Sequence, residues 1–168
     1  MNKSKSFLTS LAAAALLCCG LAANAEDQRS SVLQGRKPEV WVNAGMLSYH
    51  FDRSKHYREF NYGLGAEAVF SPKHAAIAGF YRNSESHETR YLGYEYRPVT
   101  WHPAGLNVSP ALAVALLDGY PMQNNGGWFV APFPVLNVEG KRFGANFIFI
   151  PNIKHGAAVA MQLKIKAW

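Results

Sequence analysis

Apolar and polar residues alternate along most of the chain, with turn-forming residues at short intervals. The pattern runs through Val40 to Phe51, Phe60 to Phe70, His74 to Ser84 and Thr89 to Trp101. It continues through Leu106 to Leu117, Trp128 to Val138, Arg142 to Pro151 and Ala157 to Trp168. Pro, Gly, Asn and charged residues separate these stretches, which predicts about eight β-strands. No helix of ordinary length is expected beyond the first residues, and there is no internal repeat. The fold class is all-β.

The two faces of each strand differ in kind. Trp41, Leu47, Tyr49 and Phe51 are expected on one face of the first strand, Ser48 and His50 on the other. Tyr62, Leu64, Ala66, Ala68 and Phe70 oppose Asn61, Gly63, Gly65 and Glu67. Leu92, Tyr94 and Tyr96 oppose Tyr91, Gly93 and Glu95, and Val159, Met161, Leu163, Ile165 and Ala167 oppose Gln162, Lys164 and Lys166 in the same way. A soluble barrel fills its interior with bulky apolar groups, whereas a transmembrane barrel turns them to lipid and keeps small and polar groups inside. The pattern therefore predicts an eight-stranded antiparallel transmembrane β-barrel of the outer membrane, in preference to a soluble periplasmic barrel. Trp41, Phe51, Tyr62, Phe70 and Trp101 suit interfacial girdles, and strands of ~9–11 residues are long enough to span. Trp168 ends the chain on an aromatic but lies in phase with Lys164 and Lys166, one residue off the apolar face.

Composition narrows the class further. The chain has 168 residues, 49% of them hydrophobic and 17% charged, which excludes a disordered polypeptide. The length fits one domain. Cys18 and Cys19 are the only cysteines, so neither a disulfide framework nor a cysteine metal site is available. Lys3 and Lys5, the apolar run Phe7 to Leu17 and the Ala23-Asn24-Ala25 site make residues 1–25 a secretory signal peptide. A polar segment, 26–39, follows, and the barrel is expected over 40–168.

In this topology the first strand ends at His50 and the third at Ser84, both at the outer rim and both on the inward phase, which Arg82 shares. A histidine beside a serine is the minimum apparatus of acyl transfer, because imidazole can take the hydroxyl proton and the alkoxide can attack an ester. Ser and His at a loop boundary are more often solvated turn residues, so spacing alone does not settle the role. Gly63, Gly65, Gly93 and the series Ala111, Ala113 and Ala115 leave room inside for something narrow and apolar, unless Tyr91 or Met46 fills it. His56, His74, His87, His102 and His155 lack metal-ligand spacing, so no metal is expected. Arg53, Lys55, Arg58, Arg82 and Arg90 are expected at the outer rim, where phosphates of lipid A are better partners than nucleic acid.

Several segments carry a resemblance. Ser48-Tyr49-His50-Phe51, Asn61-Tyr62-Gly63-Leu64-Gly65, Phe80-Tyr81-Arg82-Asn83-Ser84 and Gly93-Tyr94 resemble the corresponding segments of the lipid A palmitoyltransferase (PagP) family. Pro132-Phe133-Pro134-Val135-Leu136 and Phe149-Ile150-Pro151 do so as well, in the same order and with similar spacing from about Val40 onward. The resemblance implies an eight-stranded outer-membrane barrel that moves an acyl chain from a phospholipid to lipid A. His50 matches the family's histidine and Ser84 its serine. The family's aspartate is Asn83 here, a residue that could orient His50 but could not stabilise an imidazolium by charge. Its N-terminal amphipathic helix has no clear counterpart in 26–39, and a glycine on the floor of its acyl pocket corresponds to Glu95.

The resulting expectation is a divergent member of that family, a monomer in the outer membrane of a Gram-negative bacterium that needs no cofactor. Its catalytic residues would be His50, Ser84 and Asn83. Arg82, Arg53, Arg58, Gly63, Gly65, Gly93 and Glu95 would contact phospholipid and lipid A. A non-catalytic barrel serving envelope integrity and a lipid-ester hydrolase using the same residues are the alternatives. Glu67, Glu95, Lys164 and Lys166 are further expected to pair across the lumen as a charged floor beneath an apolar slot.

Overall fold

The structure is a computed structural model that describes residues 38–151 and 157–168; the expected signal peptide lies outside them, as does the polar segment up to Lys37. Eight spans form the barrel. β1 is Glu39–Asn43 continued by Met46–His50, and β2 is Phe60–Asn61 continued by Gly63–Ser71. β3 (His74–Arg82), β4 (Glu88–Tyr96), β5 (Asn107–Leu117) and β6 (Phe129–Glu139) follow, then β7 (Phe143–Ile150) and β8 (Ala158–Lys166). Each span pairs antiparallel with its neighbours, and β1 pairs with both β2 and β8, which closes the ring. Closure removes the sheet edge and gives strand backbone groups partners within the wall. Among the described residues there is no α-helix.

The side chains are distributed inside out, as the alternation requires. Leu64, Phe80, Leu92, Val130 and Leu163 are about half exposed on the outer face. The buried set is instead dominated by small and polar residues, among them Ala113, Ala115, Ala160, Asn137 and Glu67. Such a surface matches lipid and not water.

One phase differs from expectation. Trp41 is completely buried, not part of an outer girdle. Asn43 pairs with Lys164 and Leu47 with Met161, so four steps along β1 match three along β8. The extra residue is a bulge at Ala44-Gly45, where Gly45 takes φ +56°. Trp41 and Asn43 below it and Ser48 and His50 above it therefore share the inner face, and Trp41 packs its ring near the ammonium groups of Lys164 and Lys166, at 5.1 and 5.0 Å.

Loops 51–59, 83–87 and 118–128 leave the barrel at one end, the rim; the turns 72–73, 97–106 and 140–142 lie at the other, the floor. On one side the wall is not fully laddered. β6 and β7 pair from Glu139 and Gly144 up to Val135 and Ile148, where the register stops. β6 runs on to Phe129 through Pro134 and Pro132, neither of which has an N–H to donate.

Candidate functional site

The lumen is layered, and the layers lead from the floor to the rim. At the floor, Lys164 Nζ pairs with Glu67 at 2.9 Å and Glu139 at 2.6 Å. Arg97 pairs with Glu95 at 2.6 Å, with Glu139 at 3.0 Å and with Glu67. All five side chains are buried, so each charge is satisfied by partners instead of water. Of the expected pairings, Lys164 with Glu67 is present, whereas Glu95 is held by Arg97 instead of a lysine and Lys166 reaches Glu39 at 2.9 Å. Arg97 and Glu139 complete the floor and were not expected from the sequence. Glu139 had a usable signal, since it is in phase with Val135 and Asn137. Arg97 lies just past β4 and folds back on the phase of Glu95.

Above the floor is a cavity of about 80 Å³. Its walls are mostly apolar, including Ile77, Ala113, Ala115, Phe133, Val135 and Ile148. Gly63, Gly65 and Gly93 do not line it. Tyr91 crosses the lumen so that a methyl group at Gly65 or Gly79 would collide with its hydroxyl, while at Gly63 it would meet the Phe80 carbonyl and the Tyr81 backbone of the neighbouring strand. At Gly93 the close neighbours are the Val114 carbonyl and Ala115. Glu95 does line the cavity, at its lower end. Tyr81 and Tyr120 share a hydrogen bond of 2.9 Å at the upper end. Burial pushes the Tyr120 hydroxyl up to about 12, against the opposing effect of its bond to Tyr81, so it stays neutral.

At the rim the two residues singled out by the sequence meet. His50 Nε2 lies 2.9 Å from Ser84 Oγ, across the upper end of β2. Three further contacts bring them there. Arg58 N donates to Ser84 O at 3.0 Å, tying loop 51–59 to the turn that carries Ser84. The Tyr57 ring packs on the imidazole with centroids 4.7 Å apart. Ser48, buried below, holds its hydroxyl 3.4 Å from His50 Nε2 and accepts from Asn61 Nδ2 at 2.7 Å. Tyr57, Ser48 and Asn61 escaped sequence reasoning because their roles depend on how the loop folds over β2. His50 also borders a polar crevice with Asp52, Arg53, His56, Tyr57 and Glu59.

Asn83 behaves differently from expectation. Its side chain is fully buried, donates to Thr89 Oγ1 at 3.0 Å and Gly119 O at 2.7 Å, and accepts from the Glu85 and His87 amides, each at 3.0 Å. Those four bonds use the whole capacity of an amide. Asn83 therefore builds the turn before Ser84 and ties it to loop 118–128, and it does not orient His50.

The rim arginines form separate pairs, not one cluster. Arg53 lies over Tyr49 at 5.1 Å and bonds Glu59; Arg58 lies over Tyr62 at 5.0 Å. Arg90 lies over Trp128 at 5.5 Å and binds Asp118 at 2.6 Å. Arg82 is exposed at the end of β3 on the outward phase of Ala78 and Phe80, not on the inward phase expected for it. With an unprotonated Nε2, His50 can accept the Ser84 proton and leave an alkoxide facing the rim. Among the described residues no group of His, Cys, Asp and Glu has the arrangement of a metal site.

No family model matches the chain, and no curated protein matches it. Solved structures do. The solution NMR structure of the de novo designed TMB2.3 aligns with a TM-score of 0.53 at 12% identity, covering 80% of this chain and 99% of that one. A structure from the de novo design of transmembrane β-barrels aligns at 0.50 and 13% identity, over 79% and 98%. The N-terminal β-barrel domain of Pseudomonas aeruginosa OprF is similar over 77% and 99%, at 11% identity and a TM-score of 0.45. Together with the inside-out side chains, the two designed barrels assign the fold to the transmembrane β-barrel type.

Proposed function

We propose that this outer-membrane-type barrel is an acyltransferase that moves an acyl chain from a phospholipid to lipid A in the outer membrane of a Gram-negative bacterium. The observation that carries the reading is the 2.9 Å contact between His50 Nε2 and Ser84 Oγ at the rim of an apolar lumen. In the proposed reaction His50 takes the Ser84 proton and the oxygen attacks the phospholipid ester. The carbonyl carbon leaves the glycerol oxygen, which collects the proton from His50. A lipid A hydroxyl then attacks the acyl-serine, with His50 again as base, and Ser84 is restored. The unladdered seam between β6 and β7 supports the reading, because Phe133 and Ile148 flank it and both line the cavity. An acyl chain could pass from the outer leaflet into the lumen there. The exposed guanidinium of Arg82 offers a contact for phosphate.

Mass spectrometry of lipid A from cells with and without the expressed protein tests this. The expected product is lipid A heavier by one acyl group, lost in His50→Ala and in Ser84→Ala by about 10²–10⁴-fold. Release of free fatty acid without heavier lipid A would make the protein a hydrolase. No change in any lipid would make it a non-catalytic barrel.

A further inference from the structure

The ion pairs of the floor leave one charge over. Glu67, Glu95 and Glu139 bring three carboxyl groups to a buried network whose cations, among the described residues, are Arg97 and Lys164. Lys166 does not make up the difference, because it is partly exposed and matched by Glu39. An uncompensated negative charge in a space closed to water is costly, and a buried carboxyl group avoids that cost by keeping a proton.

The contacts single out the group that keeps it. Glu67 meets Arg97 and engages Lys164 through both oxygens, at 2.9 and 3.0 Å. Glu139 meets Lys164 at 2.6 Å and Arg97 at 3.0 Å. Glu95 has one cationic partner, Arg97, and its bond from Asn137 Nδ2 at 2.8 Å falls on the same Oε1. Its sheet neighbours bring no charge, being Ala75 on β3 and Ala113 on β5, and on its own strand Tyr91 presents a phenol to the same cavity. From the other spans it faces Glu67, Glu139 and Lys164 of the network and the uncharged Asn43, Asn137, Asn146 and Gln162. A shortage of donors points the same way. Of the buried side-chain atoms beside the floor with no partner among the described residues, the Oδ1 atoms of Asn43, Asn137 and Asn146 are acceptors, against one donor, Trp41 Nε1. We propose that Glu95 holds an exchangeable proton and that the floor is a proton-locked plug. With the proton bound the network is neutral and shuts the lower end of the cavity. Without it, the excess charge is met by water drawn into the floor. This device goes beyond acyl transfer, since it requires neither His50 nor Ser84.

The test reads the glutamate carboxyl carbons by NMR in the folded, isotope-labelled protein in detergent micelles. Near neutral pH the Glu95 carbon should resonate as a carboxylic acid, and those of Glu67 and Glu139 as carboxylates. As pH rises the Glu95 signal should move to the carboxylate position, and water contacts should appear at the Asn137 side-chain amide over the same range. Glu139→Gln leaves two carboxyl groups for two cations, so in that variant Glu95 should already be ionised near neutral pH. Stability gives a second reading. A proton held by the folded chain and not by the unfolded one stabilises fully below the unfolded glutamate value of about 4.3, and that contribution is lost as pH rises. Relative to Glu95→Gln, the folding constant of the parent should therefore fall about tenfold per pH unit above that value and level off once Glu95 ionises. Should Glu139→Gln fail to fold, the parent's carboxyl signals and the stability profiles decide. Three carboxylate signals near neutral pH, a proton on Glu67 or Glu139 instead, a Glu95 proton retained in Glu139→Gln, or parallel stability profiles would overturn the proposal.

Discussion

The side-chain amide of Asn83 joins two outer loops: its Nδ2 donates to the carbonyl of Gly119 at 2.7 Å, one residue ahead of Ser84 and one residue ahead of Tyr120. A residue that the family resemblance assigns to the reaction is here a cross-link. It fixes the turn that presents Ser84 and, at the same time, the loop whose Tyr120 meets Tyr81 above the cavity.

Asn83→Asp should therefore harm the protein instead of improving it. The substitution removes both donors and sets a carboxylate against the Gly119 carbonyl in a fully buried position. A loss of about 1–3 kcal/mol is expected, measured as a shift in urea unfolding in detergent. Any acyl transfer should fall with it. A variant as stable as the parent, or more active, would return Asn83 to the reaction.

The floor should respond to single substitutions far more than to paired ones. Lys164→Met leaves Glu67 and Glu139 with Arg97 as their remaining cationic partner, and breaking a buried pair in this way costs about 3–5 kcal/mol. Adding Glu139→Gln removes one of the stranded charges and should restore part of the loss. Independent, additive effects in the same unfolding assay would show that the five charges do not act as a unit.

Tyr91 and Gly65 should be coupled by contact. A methyl group at Gly65 collides with the Tyr91 hydroxyl, so Gly65→Ala alone is expected to cost about 1–3 kcal/mol through overpacking. In a Tyr91→Phe background the nearest obstacle is gone, leaving the Ala78 carbonyl at 3.1 Å and the ring carbon at 3.3 Å, and the same substitution should cost clearly less. Equal costs in both backgrounds would mean that Tyr91 does not rest on Gly65.

Acid should loosen loop 118–128 at its first residue. Burial pushes the Asp118 carboxyl up, but hydrogen bonds from the Arg90 backbone and guanidinium outweigh it and hold the group below its ordinary value. A depressed folded value means that the stabilisation is complete above the unfolded value of about 3.9 and is lost as pH falls through the folded one. Hydrogen exchange of the 118–128 amides should accelerate there. Asp118→Asn should flatten that response, and an identical acid profile in the variant would place the anchor elsewhere.

Much of this architecture was legible in the residue pattern because a membrane barrel repeats one rule on every span. Tyr62, Leu64 and Phe70 against Gly65 and Glu67, or Leu163 and Ile165 against Gln162 and Lys164, are enough to set the faces. Where the rule is interrupted, reading fails. The bulge at Gly45 reverses the phase of Trp41, and alternation counted across it assigns the largest buried side chain to the lipid. Arg97 is a different case: one step past β4 it keeps the inward phase of Tyr91, Gly93 and Glu95, so its direction was legible in the alternation. His50 and Ser84 come together because Arg58 grips the Ser84 carbonyl, a contact with no trace in spacing. Asn83 was misjudged because in a tight turn adjacent residues point to different partners.

The extra residue at Ala44-Gly45 lets a single span obey two parities. Below it the odd-numbered side chains face the lumen, and above it the even-numbered ones do. The lower and upper parts of the first span are thus assigned to inside and outside independently of each other. Deleting one residue there would leave Trp41 beside Lys164 and carry Ser48 and His50 out to the lipid. The ring would still be closed, with its salt-bridged base unchanged and its imidazole on the wrong side of the wall.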